Sequence, residues 1–285
     1  MKIHEPATID EALEVKGRHP DAIPFAGGTD LLPLWSSSRC RPERIVLLCN
    51  CDDSKEIVDE KDGLFIGAGA THAAISQHPG VIEHFAALSD AAASIGAPAI
   101  RNMGTLGGNV ANASPAADLP PALIACGAEA VLASAKNGKR SMAMENFFRS
   151  YQTTALEKDE LLLGVRLVVP PSGTRSFFRK VGTRKAQACA KLSLALSARL
   201  DGKKITSIRI AAGSVAPIPL RLTDVEAQLE GQALNDKLVR SARALAAAAV
   251  TPIDDVRSTA DYRRFVIAAI LADCVDQMRA AKEAD

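Results

Sequence analysis

Three glycine-bearing segments are the places in this 285-residue sequence where the backbone could do chemistry. They read AGGTD at 26–30, GAGAT at 67–71 and GTLGGN at 104–109. Glycine permits positive φ and lets a ligand approach the backbone closely, and successive amides in such turns bind anions. A diphosphate requires this arrangement. The first and third segments together therefore indicate a diphosphate site, whereas a single glycine pair indicates only a turn.

Two familiar nucleotide-binding motifs do not fit. The GAG at 67–69 follows an apolar strand, but His72 occupies the place of the third glycine of a Rossmann GxGxxG. Residues 83–89, where a ribose-binding acid would be expected, are predicted to be helical. The P-loop pattern with Lys after Gly occurs nowhere in the sequence.

No set of side chains suits hydrolysis or metal binding. His72, His78 and His84 are six residues apart, so they share no helical face. Cys49 and Cys51 lack the two-residue spacer of a zinc or redox site. No Ser or Cys occupies a nucleophile-elbow context. We therefore predict neither catalytic residues nor a metal site.

Asp118 is the carboxylate that merits separate consideration. It follows Asn109 by nine residues, in a proline-rich segment at a predicted helix start. Two interpretations are open: a carboxylate that binds a ligand hydroxyl, or a plain helix N-cap.

Charge and hydropathy exclude several classes of protein. The chain has 34 Lys and Arg against 33 Asp and Glu, a formal net charge of +1. The sequence therefore shows no excess of basic residues that would bind nucleic acid or an anionic membrane. No apolar stretch approaches the roughly 20 residues that span a bilayer. Residues 1–8 lack the apolar region of a secretory signal. We expect a cytoplasmic protein of two domains.

Hydrophobic periodicity and turn residues predict mixed helices and strands up to residue 169. A capping box at Thr8 and Glu11 begins the first helix, and Gly96 ends the third. Residues 96–121 are otherwise irregular, and Asn137-Gly138 turns a hairpin. The predicted helices are 8–18, 71–79, 81–95 and 118–123. The predicted strands are 22–25, 44–48, 64–66, 128–135, 139–144 and 160–169.

The remaining sequence predicts a separate unit. Residues 170–173, PPSG, suit a linker because they continue neither helix nor strand. Beyond them we predict a three-stranded antiparallel sheet covered by helices. The predicted elements are strands 176–181, 191–200 and 204–213 and helices 235–250 and 259–284.

Four motifs together carry a family resemblance: AGGTDL at 26–31, IRNMGTLGGN at 100–109, ASPAADLP at 113–120 and DVRSTADYRR at 255–264. They make the chain similar, over essentially its whole length, to the FAD-binding subunit of molybdenum hydroxylases. That family includes the medium subunit of aerobic carbon monoxide dehydrogenases and the flavin subunit or domain of xanthine dehydrogenases.

The resemblance implies an α+β fold. A p-cresol-methylhydroxylase-type FAD-binding domain, 1–172, would consist of two α+β subdomains, 1–55 and 56–172. A C-terminal α+β domain of the carbon monoxide dehydrogenase flavoprotein type, 173–285, would follow.

The resemblance also implies which residues hold FAD. The backbone amides of the first and third glycine segments would wrap the diphosphate from both sides, with Gly107 and Gly108 at positive φ or in direct contact with it. Asp118 would bind ribose or adenosine hydroxyls, and Leu162 would contact the flavin or adenine. Lys180 would lie near the isoalloxazine, with Arg179 as the alternative. The implied FAD-binding residues are Phe25, Ala26, Gly27, Gly28, Thr29, Asp30, Leu31, Thr105, Leu106, Gly107, Gly108, Asn109, Ser114, Asp118, Leu162 and Lys180.

Electron relay is the activity that the resemblance implies. Substrate would be oxidised at a molybdenum cofactor in a large partner subunit, and electrons would pass through the [2Fe–2S] clusters of a small partner subunit to the FAD of this chain. The molybdenum cofactor and the clusters are expected only in those partners. NAD, a quinone, oxygen or a ferredoxin could be the final acceptor.

Two alternatives stay open. One is a stand-alone flavin reductase of the UDP-N-acetylenolpyruvylglucosamine reductase type, which shares the glycine loops but is disfavoured by the Ser-Pro-x-x-Asp motif. The other is an assembly subunit that has lost FAD, which is disfavoured because every glycine of both loops is present.

Overall fold

The structure is a computed structural model that describes residues 1–37, 42–184 and 186–283. Residues 1–37 and 42–47 contribute a three-stranded parallel sheet, in the order β1-β3-β2, and two helices. The Thr8 hydroxyl accepts a hydrogen bond from the Glu11 amide at 3.3 Å, as predicted. The Glu11 carboxylate, however, accepts from the Ala7 amide rather than that of Thr8. The elements are β1 (Lys2–His4), α1 (Ile9–Arg18), β2 (Ile23–Phe25), α2 (Leu31–Ser36) and β3 (Arg44–Leu47).

The middle of the chain forms a five-stranded antiparallel sheet, in the order β4-β5-β10-β6-β7, covered by short helices. A separate two-stranded ladder, β8-β9, precedes the last strand. The elements are β4 (Ile57–Glu60), β5 (Gly63–Gly67), α3 (His72–Gln77), α4 (Pro79–His84), α5 (Ala86–Ala93), α6 (Pro98–Met103), α7 (Leu106–Ala111), α8 (Leu119–Ala125), β6 (Glu129–Ser134), β7 (Gly138–Ala143), β8 (Phe148–Ser150), β9 (Thr153–Thr154) and β10 (Leu161–Val168).

Two predictions for this region are wrong. The single helix predicted at 81–95 is two helices, because Phe85 leaves the helical region at φ −135° and ψ 50°. The apolar spacing continues across the break because Phe85 and Leu88 still enter one core. The segment predicted to be irregular contains α6 and α7. Pro98 suits the first turn of α6, and the Thr105 hydroxyl caps α7 by accepting from the Gly108 amide.

The C-terminal part is an antiparallel sheet in the order β11-β12-β13-β14 with three helices. The prediction of three strands is wrong: β14 adds a fourth, which is too short to show a two-residue alternation in sequence. The helix α9 was also not predicted, and the predicted end of the last helix at 284 lies outside the described residues. The elements are β11 (Thr174–Val181), β12 (Leu192–Asp201), β13 (Lys204–Gly213), β14 (Leu220–Arg221), α9 (Thr223–Leu229), α10 (Asp236–Ala249) and α11 (Ala260–Glu283).

The central strands of both larger sheets are buried on both faces. In β12, Leu194 packs into the core formed with the C-terminal helices, while Ala195 packs into the core of the middle part. In β6, Leu132 faces that same middle core, while Val131 faces α1. Because neighbouring strand residues point to opposite faces, each sheet joins two cores. The middle part is therefore held between the N-terminal and C-terminal parts.

Arg221 of β14 links the middle and C-terminal parts. Its Nη1 donates to Glu145 Oε2 at 2.9 Å, and its Nη2 lies 2.9 Å from Glu226 Oε2. The Glu226 side chain is only 7% exposed. We expect Arg221→Met to lower the free energy of unfolding by about 2 to 3 kcal/mol, because it leaves the buried Glu226 carboxylate without its cation.

Urea denaturation measures this loss. Arg166→Met is the matched control, because Arg166 pairs with Glu60 in an ion pair that is about two-fifths exposed and should cost less than about 1 kcal/mol. Equal losses in the two variants would show that Arg221 does not hold the two parts together.

Candidate functional site

The first glycine segment, residues 26–30, is the turn between β2 and α2. Gly28 has φ of 69°, a conformation that favours glycine. The amides of Gly27, Gly28, Thr29 and Asp30 donate to no acceptor among the residues that the structure describes. Four successive amides without a protein acceptor can bind an anion.

The first and third glycine segments meet in space. A Cβ placed on Gly27 would overlap the carbonyl of Met103 and crowd the amide of Gly104. The turn after β2 therefore touches the turn between α6 and α7 backbone to backbone. The structure thus brings together the two segments that the sequence pairs as a diphosphate site.

Most amides of the third segment already have acceptors in the protein. The Leu106 amide donates to Ala70 O at 2.9 Å, the Gly107 amide to Ala68 O at 2.7 Å, and the Gly108 amide to Thr105 Oγ1 at 3.1 Å. The amides without an acceptor among the described residues are therefore those of the first segment and that of Thr105. The expectation that amides of both segments wrap a diphosphate stays a prediction.

Gly107 and Gly108 differ in their surroundings. Neither is among the glycines with positive φ, because both lie in α7, so the positive-φ alternative is wrong. Direct contact with the diphosphate stays a prediction. A Cβ on Gly107 would lie 2.8 Å from the Cβ of Ala68 and 2.9 Å from its oxygen. A Cβ on Gly108 would meet only Thr105 Oγ1, at 3.2 Å. Gly107 thus serves packing within the protein, while Gly108 leaves space on its outer side.

The GAGAT segment supports the third segment, a role that the sequence did not predict. The His72 amide donates to Gly104 O at 3.0 Å, and Thr71 and Thr105 pair in an isolated bridge. The His72 ring is buried against Gly104, and its Nδ1 has no hydrogen-bond partner among the described residues. Burial, with a smaller contribution from the positive charge of Arg101, lowers the pKa of His72 to about 4, so the ring is neutral at pH 7.

Asp118 does not act as a helix cap. It precedes α8, but its side chain accepts no hydrogen bond from the helix amides. Its Oδ2 instead accepts from Lys180 Nζ at 2.6 Å, while its Oδ1 is buried with no hydrogen-bond partner in the described part of the chain. Burial raises the pKa of Asp118 to about 6, and the nearby Lys180 ammonium opposes the rise. The N-cap interpretation is therefore wrong.

Lys180 and Arg179 point to opposite faces of β11, because side chains alternate along a strand. In β11, Phe178 packs into the core of the middle part, whereas Phe177 and Val181 pack into the C-terminal core. Lys180 shares the face of Phe178, so it points towards α5 and α8 and reaches Asp118. Beside them is a groove of about 390 Å³, lined by residues of α5, of β11 and of the loop after β11. A larger cavity, of about 680 Å³, lies between the β4–β5 turn and α4 and contains none of the predicted site residues.

The other predicted site residues lie around these loops. Phe25 stacks on Trp35, with ring centroids 5.4 Å apart, and Leu31 begins α2. Leu162 is buried in β10, beside Leu163, whose carbonyl accepts from the Ala68 amide at 2.8 Å. Ser114 follows Ala113, which has φ of 49°. No comparison tests any contact of these side chains with FAD, so the residue assignment stays a prediction.

The arrangement fits FAD. Its diphosphate needs several donors, which the amides of 27–30 supply, and its hydroxyls need acceptors. Asp118 Oδ1 and Asn109 Oδ1 are such acceptors, both buried and both without a partner among the described residues. Within the described ranges, no group of His, Cys, Asp and Glu could hold a metal ion. No helix of the described chain is long and apolar enough to cross a membrane.

Comparison with known proteins agrees with this geometry. Residues 1–170 match the family "FAD binding domain in molybdopterin dehydrogenase", and residues 177–278 match the "CO dehydrogenase flavoprotein C-terminal domain". The glyceraldehyde dehydrogenase medium chain of Sulfolobus acidocaldarius is 32% identical over 260 residues, which is 91% of this chain and 92% of the relative. The putative xanthine dehydrogenase FAD-binding subunit of Escherichia coli K12 is 28% identical over 282 residues, 98% of this chain and 96% of the relative.

Solved structures show the same fold. A chain of carbon monoxide dehydrogenase from Hydrogenophaga pseudoflava superposes with a TM-score of 0.94 and 30% identity, covering 98% of this chain and 97% of that one. Quinoline 2-oxidoreductase from Pseudomonas putida 86 gives a TM-score of 0.91 and 28% identity, covering 99% and 97%.

The contrast between Gly107 and Gly108 generates a prediction. Gly108→Val should abolish FAD retention while leaving the apoprotein folded, because the new side chain enters the open space where the ligand is expected. Gly107→Val should instead lower the melting temperature of the apoprotein, because its side chain meets Ala68. Flavin content after purification and thermal unfolding of the apoprotein measure the two effects. A Gly108→Val protein with full flavin would contradict the site.

The neutral His72 generates a second prediction. Its folded pKa, about 4, lies below its unfolded value, so stability is complete above about pH 6.5 and falls as the pH approaches 4. The loss should approach about 1.4 kcal/mol per pH unit from this residue. His72→Gln should flatten the slope, measured by urea unfolding between pH 7 and 4, whereas His84→Gln on the surface helix α4 should retain it. A slope unchanged by His72→Gln would contradict the assignment.

Proposed function

Because the chain belongs to the family of FAD-binding subunits of molybdenum hydroxylases, we propose that it is the electron-transfer subunit of a molybdenum-containing dehydrogenase complex. The single observation that carries this proposal is the meeting of two glycine segments from different parts of the fold at Gly27 and Met103. At that meeting point the amides of 27–30 have no acceptor among the described residues, and elsewhere in the predicted site Asp118 has a buried carboxylate oxygen with no donor among them.

The chain's own residues bind and orient the cofactor. The amides of 27–30 hold the diphosphate, and Asp118 Oδ1 accepts from a cofactor hydroxyl. FAD, when bound, accepts electrons singly and can release them as a pair. We also propose the domain division 1–172 and 173–285, because β10 ends at Val168 and β11 begins at Thr174.

Substrate oxidation belongs to partner subunits in this proposal. His72, which is buried against Gly104, is neutral, and the buried Asp118 is paired with Lys180. Neither is arranged as a general base against an open site. The partners are a large subunit with the molybdenum cofactor and a small subunit with [2Fe–2S] clusters. Neither the geometry nor the relatives' names favour NAD over a quinone, oxygen or a ferredoxin as the acceptor.

The stand-alone flavin reductase is less well supported. The family matches extend through residues 177–278, which match the CO dehydrogenase flavoprotein C-terminal domain. In addition, the exposed apolar side chains of Leu32 and Met103 lie beside the first glycine segment. Exposed apolar groups next to a binding site favour association with another protein.

Purification distinguishes the alternatives. The chain expressed alone should be yellow and contain FAD, but should not oxidise aldehydes, purines or carbon monoxide. The tagged chain isolated from its native cells should carry molybdenum and iron in addition to FAD, measured by elemental analysis and flavin absorbance. FAD without molybdenum in the native preparation, or turnover by the chain alone, would favour the stand-alone reductase and contradict the relay subunit.

A further inference from the structure

Lys180 is held by two acceptors of the protein. Its Nζ donates to Asp118 Oδ2 at 2.6 Å and to Ser94 O at 3.1 Å. The side chains of Lys180 and Asp118 are only 12% and 8% exposed. Ser94 is the C-terminal cap of α5, so one ammonium joins the end of α5, the start of α8 and β11.

The pair is asymmetric on the side of Asp118. One carboxylate oxygen receives the ammonium, and the other is buried without a partner in the described residues. A buried carboxylate oxygen that accepts no hydrogen bond is costly, and a ligand donor would satisfy it. Asp118 therefore keeps one oxygen that a ligand donor can satisfy, whereas Lys180 Nζ already has two acceptors in the protein.

We propose that Lys180 is a positioning residue that does not itself bind FAD: it holds Asp118 so that Oδ1 accepts a hydrogen bond from the cofactor. This inference rests on the proposed function as an FAD-binding subunit. It differs from the contact between Lys180 and the isoalloxazine that the sequence resemblance implies. The Lys180 ammonium acts through the Asp118 carboxylate. It balances the negative charge of the carboxylate, and its hydrogen bond to Ser94 O fixes its own position.

The charge of Lys180 also keeps Asp118 ionised. An ionised carboxylate forms the stronger, charge-assisted hydrogen bond with a hydroxyl donor. Without the ammonium, burial alone acts on Asp118 and its pKa rises above about 6. FAD affinity should then fall as the carboxyl becomes protonated, within the neutral range of pH.

Other charged groups near α8 do not replace Lys180. From β13, Arg209 donates to Ile124 O, near the other end of α8. Arg221 of β14 is paired with Glu145 and Glu226. Asp90 of α5 and Arg179 line the same groove, where Asp90 interacts with the positive charge of Arg179. Lys180 is the charged group that acts on the pKa of Asp118.

A double-mutant cycle on the full chain tests the proposal. The FAD dissociation constant would be measured by flavin fluorescence from pH 5 to 8.5 for the wild type, Lys180→Met, Asp118→Asn and the double variant. Arg166→Met is the control, because Arg166 pairs with Glu60 and neither residue lines the groove beside Lys180. Lys180→Met should weaken FAD binding about tenfold at pH 7 and recover as the pH rises, and Lys180→Arg should restore most of the affinity. Asp118→Asn should weaken binding by about ten- to a hundredfold with little dependence on pH.

The double variant gives the decisive comparison. It leaves no unpaired buried charge, so it should fold, and its affinity should equal that of Asp118→Asn because Lys180 has nothing left to position. Additive losses, or a Lys180→Met affinity that does not recover at high pH, would overturn the positioning role while leaving the FAD function intact. Wild-type protein that binds no FAD would overturn the proposed function and this inference together.

Discussion

Backbone contacts that only glycine permits determine how this protein is assembled around its site. Gly27 lies against the carbonyl of Met103, and Gly107 lies against Ala68. A Cβ at either position would force apart two segments that come from different parts of the chain. Because the first contact joins the N-terminal sheet to the helical layer of the middle part, the position of the anion-binding amides depends on it. The central strands of the five-stranded sheet contribute side chains to two cores, one on each face of the sheet.

Buried polar side chains without partners indicate a ligand site only when backbone amides without acceptors occur with them. Gln228 and Arg263 also have buried atoms that lack partners in the described residues, and both lie in the C-terminal part, away from the glycine segments. Around the first glycine segment, by contrast, four amides lack acceptors within the described chain. Asn109 and Asp118 add acceptor oxygens that lack donors. Donors and acceptors that do not satisfy each other indicate a third molecule, with both negative charge and hydroxyl groups.

The electrostatics of the site suit binding and electron transfer better than acid–base catalysis. His72 stays neutral because it is buried, and the carboxylate of Asp118 is neutralised by Lys180. A paired charge in an environment that excludes water is held in place by its partner, so it does not move a proton during turnover. In the proposed function, the polar groups of the site hold a cofactor. This is consistent with the proposed function, in which substrate oxidation takes place on another subunit.

The sequence by itself determined the features that neighbouring residues encode. Capping at Thr8, the β6–β7 hairpin at Gly138 and the alternation of β12 were predictable because turn chemistry and periodicity act over a few residues. The four motifs together were sufficient to identify the family. Only the tertiary structure decided that Gly107 packs on Ala68, that the GAGAT segment supports the third glycine segment, and that Lys180, 62 residues from Asp118, pairs with it. Those contacts depend on which face of a strand or helix meets which neighbour, and no local pattern records that choice.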